Sequence, residues 1–122
     1  MKKQNTILAL IFVCLGAAVS AGCGWNPAVT AVPVTAPWDS MNLPIKQDAI
    51  VYESSATELK VLHKDDRAKV APAYDAAILA AGWKSAGKKA GDEMTNVFQK
   101  DGKTLEAYVY PYENTGVILT LK

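Results

Sequence analysis

DDRAKVAPAYDAAILAAGW, residues 65–83, is a stretch in which apolar residues recur at helical spacing. One face of a helix would carry its apolar stripe, made of Val70, Tyr74, Ala77, Ile78 and Ala81. Gly82 is expected to end this helix in the left-handed conformation, with the apolar Trp83 folding back on the last turn. The stretch therefore predicts one amphipathic helix with a defined end.

The start of the helix has two interpretations. Asp65 and Asp66 can accept hydrogen bonds from the first free N–H groups, which would place the start directly after them. Pro72 interrupts the pattern, because proline lacks an N–H donor and crowds the preceding turn. The helix either runs through Pro72 with a kink or begins near it after a short turn.

Strand patterns lie on both sides of the helix. Alternation of side chains marks two segments before the helix and three after it: 49–53, 58–64, 94–100, 104–112 and 115–121. Short turns between consecutive strands imply antiparallel pairing. Segment 87–91 is either a loop or a loose extension of the strand that follows it. The sequence predicts an α+β fold of two layers, with about five antiparallel strands and one helix on one face, in the order ββαβββ.

The string Tyr74-x-x-x-Ile78-x-x-x-Gly82-Trp83 resembles a motif in small domains of bacterial lipoproteins and secreted proteins. In those domains a helix carrying Tyr and then Leu ends at Gly-Trp, with two strands before it and three after it. This chain departs from the pattern at Ile78 and by having Pro72 inside the helix. The resemblance implies the fold and places the Tyr and Trp in the core and the helix cap; it implies no particular activity.

The N-terminal segment has the three parts of a secretory signal peptide. Lys2 and Lys3 give the positive start, an apolar run covers 6–19, and small residues follow. The run is shorter than the roughly 20 residues that a helix needs to cross a bilayer. We therefore expect an exported protein of the bacterial cell envelope.

Ser20-Ala21-Gly22-Cys23 resembles the lipobox of bacterial lipoproteins, with Ser20 in the place of the usual Leu. The resemblance implies acylation of Cys23 by two or three chains and a permanent membrane anchor. Cys14 would leave with the signal peptide, so Cys23 becomes the lone thiol of the mature chain. An oxidising compartment disfavours such a thiol, and acylation explains its presence.

Processing and location follow from this string. In enterobacterial lipoproteins, an Asp directly after the acylated Cys favours retention in the inner membrane. Gly24 follows Cys23 here, so the resemblance implies the outer membrane, with the domain facing the periplasm. The alternative is ordinary cleavage after Ala21, which would release a soluble periplasmic binding module.

Three segments are predicted: a signal peptide at 1–22, a Pro-, Ala- and Val-rich tether at 23–42, and a single domain at 43–122. Proline keeps the tether extended, so that it could hold the domain off the membrane. We expect Trp38 to dock in part on the domain.

Charge and titratable residues argue against several functions. The full sequence has 13 basic and 12 acidic residues. Removal of residues 1–22 takes away Lys2 and Lys3, so 11 basic and 12 acidic groups remain. No basic stripe is present, so nucleic acid is not an expected partner.

His63 is the single histidine, expected to be solvated or at an edge, and no nucleophile motif accompanies it. The acidic pairs at 65–66 and 92–93 lack calcium-loop spacing. We expect no enzyme, no metal and no cofactor.

Tyr108, Tyr110 and Tyr112 alternate with apolar residues of the same strand. If the helix covers the apolar set, the tyrosines line the opposite face of the sheet, where Phe98 and Ile118 could join them. Exposed aromatic patches often mark binding surfaces, so this face is the candidate contact for an envelope protein or for self-association. The alternative is cross-strand pairing that only stabilises an open sheet face.

Overall fold

The computed structural model describes residues 27–122. Over this range one α-helix and six strands follow the order ββαββββ: β1 Ile50–Ser54, β2 Glu58–His63, α1 Arg67–Ala80, β3 Lys84–Lys89, β4 Asp92–Lys100, β5 Lys103–Tyr110 and β6 Thr115–Leu121. The strands form one sheet in the order β1-β2-β6-β5-β4-β3, and every neighbouring pair is antiparallel. The predicted α+β class with an antiparallel sheet is confirmed. The described helices include none that is both long enough and apolar enough to span a bilayer.

β3 makes the sheet one strand larger than predicted. The sequence predicts a loop or loose extension at 87–91, whereas Lys84–Lys89 pairs with β4 as an edge strand. All six of its residues are exposed, so alternation between buried and exposed residues cannot reveal it. Its register against β4 shifts twice, on either side of Lys88. The predicted count of five strands and the order ββαβββ are therefore wrong.

The predicted apolar stripe of α1 faces the core. Val70, Tyr74 and Ile78 are its buried residues, and all three belong to the main hydrophobic cluster. The helix begins at Arg67 and continues through Pro72, which is the earlier of the two predicted starts.

The two ends of α1 differ in how they are capped. Asp66 occupies the N-cap position, but its side chain makes no capping hydrogen bond, which corrects the predicted role of that carboxylate. At the other end Gly82 has φ +97°, as predicted. The N–H of Trp83 donates to the carbonyl of Ile78 at 3.3 Å, and that of Gly82 donates to Leu79 at 3.0 Å. This pair of bonds is the Schellman motif, which satisfies carbonyls that the last turn leaves free.

The core lies between α1 and one face of the sheet. Three neighbouring strands supply half of its buried side chains: Leu59, Val61, Leu105, Ala107, Val109, Val117 and Leu119. The strand registers align them, because Leu59 lies opposite Leu119 and Leu119 lies opposite Ala107. Burying one aliphatic side chain contributes roughly 1.5–3 kcal/mol, so this face dominates the stability of the domain.

Part of the predicted tether packs on the domain. We call residues 27–41 the strap. Its Trp38 is 2% exposed, and the indole Nε1 donates to the carbonyl of Ser55 at 2.6 Å. The N–H of Val32 donates to the carbonyl of Val51 on β1 at 2.8 Å. Folded structure therefore begins before the predicted boundary at residue 43.

Candidate functional site

Three tyrosines lie together on the sheet face opposite α1. We call Tyr108, Tyr110 and Tyr112 the tyrosine ladder. The ring centroids of Tyr108 and Tyr110 lie 4.7 Å apart, and the two stacked rings make an angle of 15°. The ring centroids of Tyr110 and Tyr112 lie 6.1 Å apart, at an angle of 29°. Stacked pairs at these separations contribute about 0.5–1.5 kcal/mol beyond the area they bury. The ladder is therefore an ordered surface, with its rings held in place before any partner arrives.

Tyr110 owes its position to a glycine on the neighbouring strand. Gly116 lies opposite Tyr110, and a Cβ added to it would lie 2.7 Å from both Cε1 and Oη of the tyrosine. The ring therefore lies directly over the backbone of Gly116, where only glycine leaves room. Gly116 lies within the predicted strand 115–121, and glycine inside a strand can indicate such a close approach.

The hydroxyl of Tyr110 extends the aromatic surface across the open face towards the edge strand β1. It lies close enough to the hydroxyl of Tyr52 on β1 for the two groups to interact. That interaction reaches across β6 and β2, which lie between β5 and β1. Leu62 of β2 points to the same face opposite Gly116, yet it is fully buried. The two tyrosines thus form a cover over an apolar patch on the open face.

The rings of the ladder differ in exposure, and Tyr110 has a raised pKa. Partial burial and the nearby hydroxyl of Tyr52 raise the pKa of Tyr110 to about 12, so its hydroxyl keeps its proton at neutral pH. Tyr108 and Tyr110 are half-buried, whereas Tyr112 is 54% exposed. Exposure therefore increases along the ladder towards Tyr112, which offers the most accessible ring.

Paired charges border the ladder. Glu106 accepts hydrogen bonds from Lys89 at 3.2 Å and from Lys122 at 3.1 Å. Partial burial would raise the pKa of Glu106, but the two ammonium groups outweigh it and the pKa is lowered. On the other side Lys60 lies 3.2 Å from Glu53, whose hydrogen bond raises the pKa of the lysine. The surface is an aromatic patch inside a rim of both charges, the composition that protein contacts favour.

Phe98 does not belong to this surface. It is buried in the core and lies opposite Leu105 on the α1 side of the sheet. The two-residue turn at 101–102 fixes this register and with it the face. Ile118 does lie on the ladder's face, where it is half-buried opposite Tyr108.

His63 is buried, not solvated as predicted. It is 3% exposed, and its Nε2 lies 2.7 Å from the hydroxyl oxygen of Tyr74. β6 pairs with β2 on the side away from β1, and this pairing places Thr115 opposite His63. Burial lowers the pKa of His63 and raises that of Tyr74, so both groups are held neutral.

A small hollow adjoins this pair but lacks the arrangement of an active site. Its volume is about 140 Å³, and its wall includes Lys46, His63, Asp65 and Tyr74. Small-molecule sites usually have about 300–1,000 Å³. Asp65 is paired with Lys46, which lowers the pKa of the carboxyl, and Tyr74 occupies one nitrogen of the imidazole. Within residues 27–122, no three His, Cys, Asp or Glu side chains are grouped to hold a metal ion.

Comparison of the chain with protein-family models, with curated proteins and with solved structures finds no match. The resemblance of the helix motif to small lipoprotein domains therefore stays a prediction. The signal peptide, the lipobox and Cys23 lie outside the described residues.

Proposed function

We propose that this chain is an outer-membrane lipoprotein of the bacterial envelope, facing the periplasm and anchored through Cys23. Its α+β domain, with α1 layered on the sheet, serves as a non-enzymatic accessory or interaction module. The N-terminal sequence supports the anchor. The observation that carries the interaction role is the tyrosine ladder, stacked on the sheet face that α1 leaves open.

The chemistry of the ladder favours a protein partner, either another envelope protein or a second copy of this chain. Tyrosine offers a large apolar ring and a polar hydroxyl with few rotatable bonds, so ordering it costs little entropy on binding. Stacking removes part of that cost beforehand. The rim of ion pairs around Glu106 and Lys60 would give such a contact its orientation.

The alternative function is a soluble periplasmic binding module, produced by ordinary cleavage after Ala21. It uses the same surface and differs in the N-terminus alone. Intact mass and detergent partitioning of the expressed protein and of a Cys23→Ala variant separate the two. We expect a diacylglyceryl-sized mass increment and partitioning into detergent, both lost in the variant. An unmodified mature chain that begins at Gly22 would establish the soluble alternative.

The contact surface is tested by site-specific photo-cross-linking in intact envelopes. A photoreactive residue replaces Tyr108 on the ladder in one variant and Leu79 in the other. Leu79 is a matched control, because it is an exposed large apolar residue of α1. We expect a discrete protein adduct from position 108 and none from position 79. Equal adduct patterns would mean that the ladder only stabilises the open face.

A further inference from the structure

The strap leaves the domain at a defined end of the sheet. Val32 bonds to Val51 of β1, and the N–H of Thr35 donates to Oγ of Ser54 at 2.9 Å, so the strap runs parallel to β1. No turn or bend interrupts the chain from 27 to 35. Followed backwards from Val32, the chain therefore heads towards the end of the sheet where β1 begins.

Very little chain separates that end from the anchor. Pro27 and Val29 are half-buried, so the strap stays against the domain up to its first described residue. Four residue steps join Pro27 to Cys23, a span of at most about 14 Å at ~3.6 Å per residue. A lipid on Cys23 would hold this end of the domain next to the bilayer, whereas a free tether over 23–42 would let the domain stand off.

The same end of the sheet carries the turn 111–114. In an antiparallel sheet the start of one strand lies beside the end of its neighbour. The start of β1, the end of β2, the start of β6 and the end of β5 therefore share one border. Tyr112 lies in the turn between β5 and β6, and it is the most exposed large hydrophobic residue of the described chain.

We propose that this border of the domain rests on the membrane that holds Cys23, with the ring of Tyr112 in the phospholipid headgroup layer. The inference rests on the proposed acylation of Cys23. Tyrosine suits that layer because its ring is apolar and its hydroxyl is polar, and it is enriched at membrane interfaces. The tyrosine ladder then stands upright from the bilayer, with Tyr112 at its foot and Tyr108 free to meet a protein.

The opposite border supplies an internal control. Lys103 follows the two-residue turn at 101–102 and is exposed. The strand Asp92–Lys100 connects the two borders, and its nine residues span about 30 Å at ~3.3 Å each. Position 103 should therefore lie about 30 Å further from the bilayer than position 112.

The test uses the acylated mature protein, which begins at Cys23, in phosphatidylcholine vesicles. Tyr112→Cys and Lys103→Cys variants carry an environment-sensitive fluorophore; acylation blocks the thiol of Cys23, so only the introduced cysteine is labelled. Lipids with a spin label on the headgroup serve as the quencher. We expect several-fold stronger quenching and a blue-shifted emission at position 112. Equal quenching at both positions on vesicle-bound protein overturns the docking.

Intact mass separates the two ways of failing. An unmodified mass removes the anchor and the docking together, whereas an acylated mass with equal quenching removes the docking alone. Hydrogen exchange on the unsubstituted protein gives a second measurement if the Tyr112→Cys variant does not fold. Amides of 112–114 should exchange more slowly on vesicles than in the Cys23→Ala protein in solution, with 101–103 unchanged. No slowing at 112–114 would equally overturn the docking.

Discussion

His63 and Tyr74 place a titratable ring and a phenol in contact inside the core. Burial lowers the pKa of His63 below its ordinary value of 6.5. The unfolded chain therefore takes up this proton at a higher pH than the folded chain does. Stability is full above about pH 6.5 and falls as the pH drops below it, because the unfolded state then binds more protons. We predict that the urea midpoint declines between about pH 7 and 5.

A His63→Gln variant is the matched control, since it keeps a side chain able to bond to Tyr74 but cannot titrate. Its urea midpoint should be nearly flat over that range. Asp65 and Asp92 have lowered pKa values, so their contribution is lost only in more acidic solution. An unchanged slope in the glutamine variant would assign the pH dependence to other groups.

Single residues also show where the sequence can be trusted. Alternation correctly places His63 on the same side of β2 as Leu59 and Val61, and that side is the core. The prediction of a solvated ring is wrong because it relies on the charged neighbours Lys64 and Asp65 and not on the strand face that His63 shares with Leu59 and Val61. Phe98 shows the same lesson, since the turn at 101–102 already fixes the face on which it lies.

Among the elements, α1 depends on its C-terminal cap. At Gly82, φ is +97°, and an added Cβ would lie 3.2 Å from Nζ of Lys100. Left-handed backbone costs an ordinary residue about 1–2 kcal/mol. We predict that Gly82→Ala lowers the free energy of unfolding by about that amount, measured by urea denaturation. Gly82→Asn should lose less, because asparagine tolerates this conformation; equal losses would assign the effect to crowding against Lys100.

Elements with one buried face are predictable from the sequence, and an element without one is not. β5 alternates, with Leu105, Ala107 and Val109 buried, and α1 buries Val70, Tyr74 and Ile78 at a spacing of four, because burial selects apolar residues at the period of the element. β3 carries no such record, since all its residues are exposed. What defines β3 is its pairing with β4, a contact between segments that composition does not show.

For the whole molecule, the strap is a structural part of the domain. Trp38 fills the core and donates its indole hydrogen to Ser55, so its removal leaves a large cavity and an unpaired carbonyl. We predict that Trp38→Ala costs about 3–5 kcal/mol, measured by urea denaturation. Val32→Ala is the control from the same strap, because Val32 is exposed and uses only its backbone. Similar losses in both variants would contradict a specific role for Trp38.

The boundary at residue 43 follows from proline content, which indicates extended chain and does not show whether that chain packs. The candidate site is predicted only partly for a related reason. Alternation is enough to place Tyr108, Tyr110 and Tyr112 on one face. The contributions of Tyr52 and Gly116 depend on which strands are neighbours, and strand order follows from packing of the whole chain.

The two edge strands of the sheet, β1 and β3, have a consequence for solubility. The strap covers the outer side of β1 at Val32, and β3 presents exposed lysines and an irregular register on the other side. Lysines and bulges on an edge strand prevent sheets of separate molecules from joining. A protein concentrated on a surface meets its copies far more often than one in solution. If the chain is anchored as proposed, these protected edges would keep neighbouring copies from polymerising while the tyrosine ladder stays accessible.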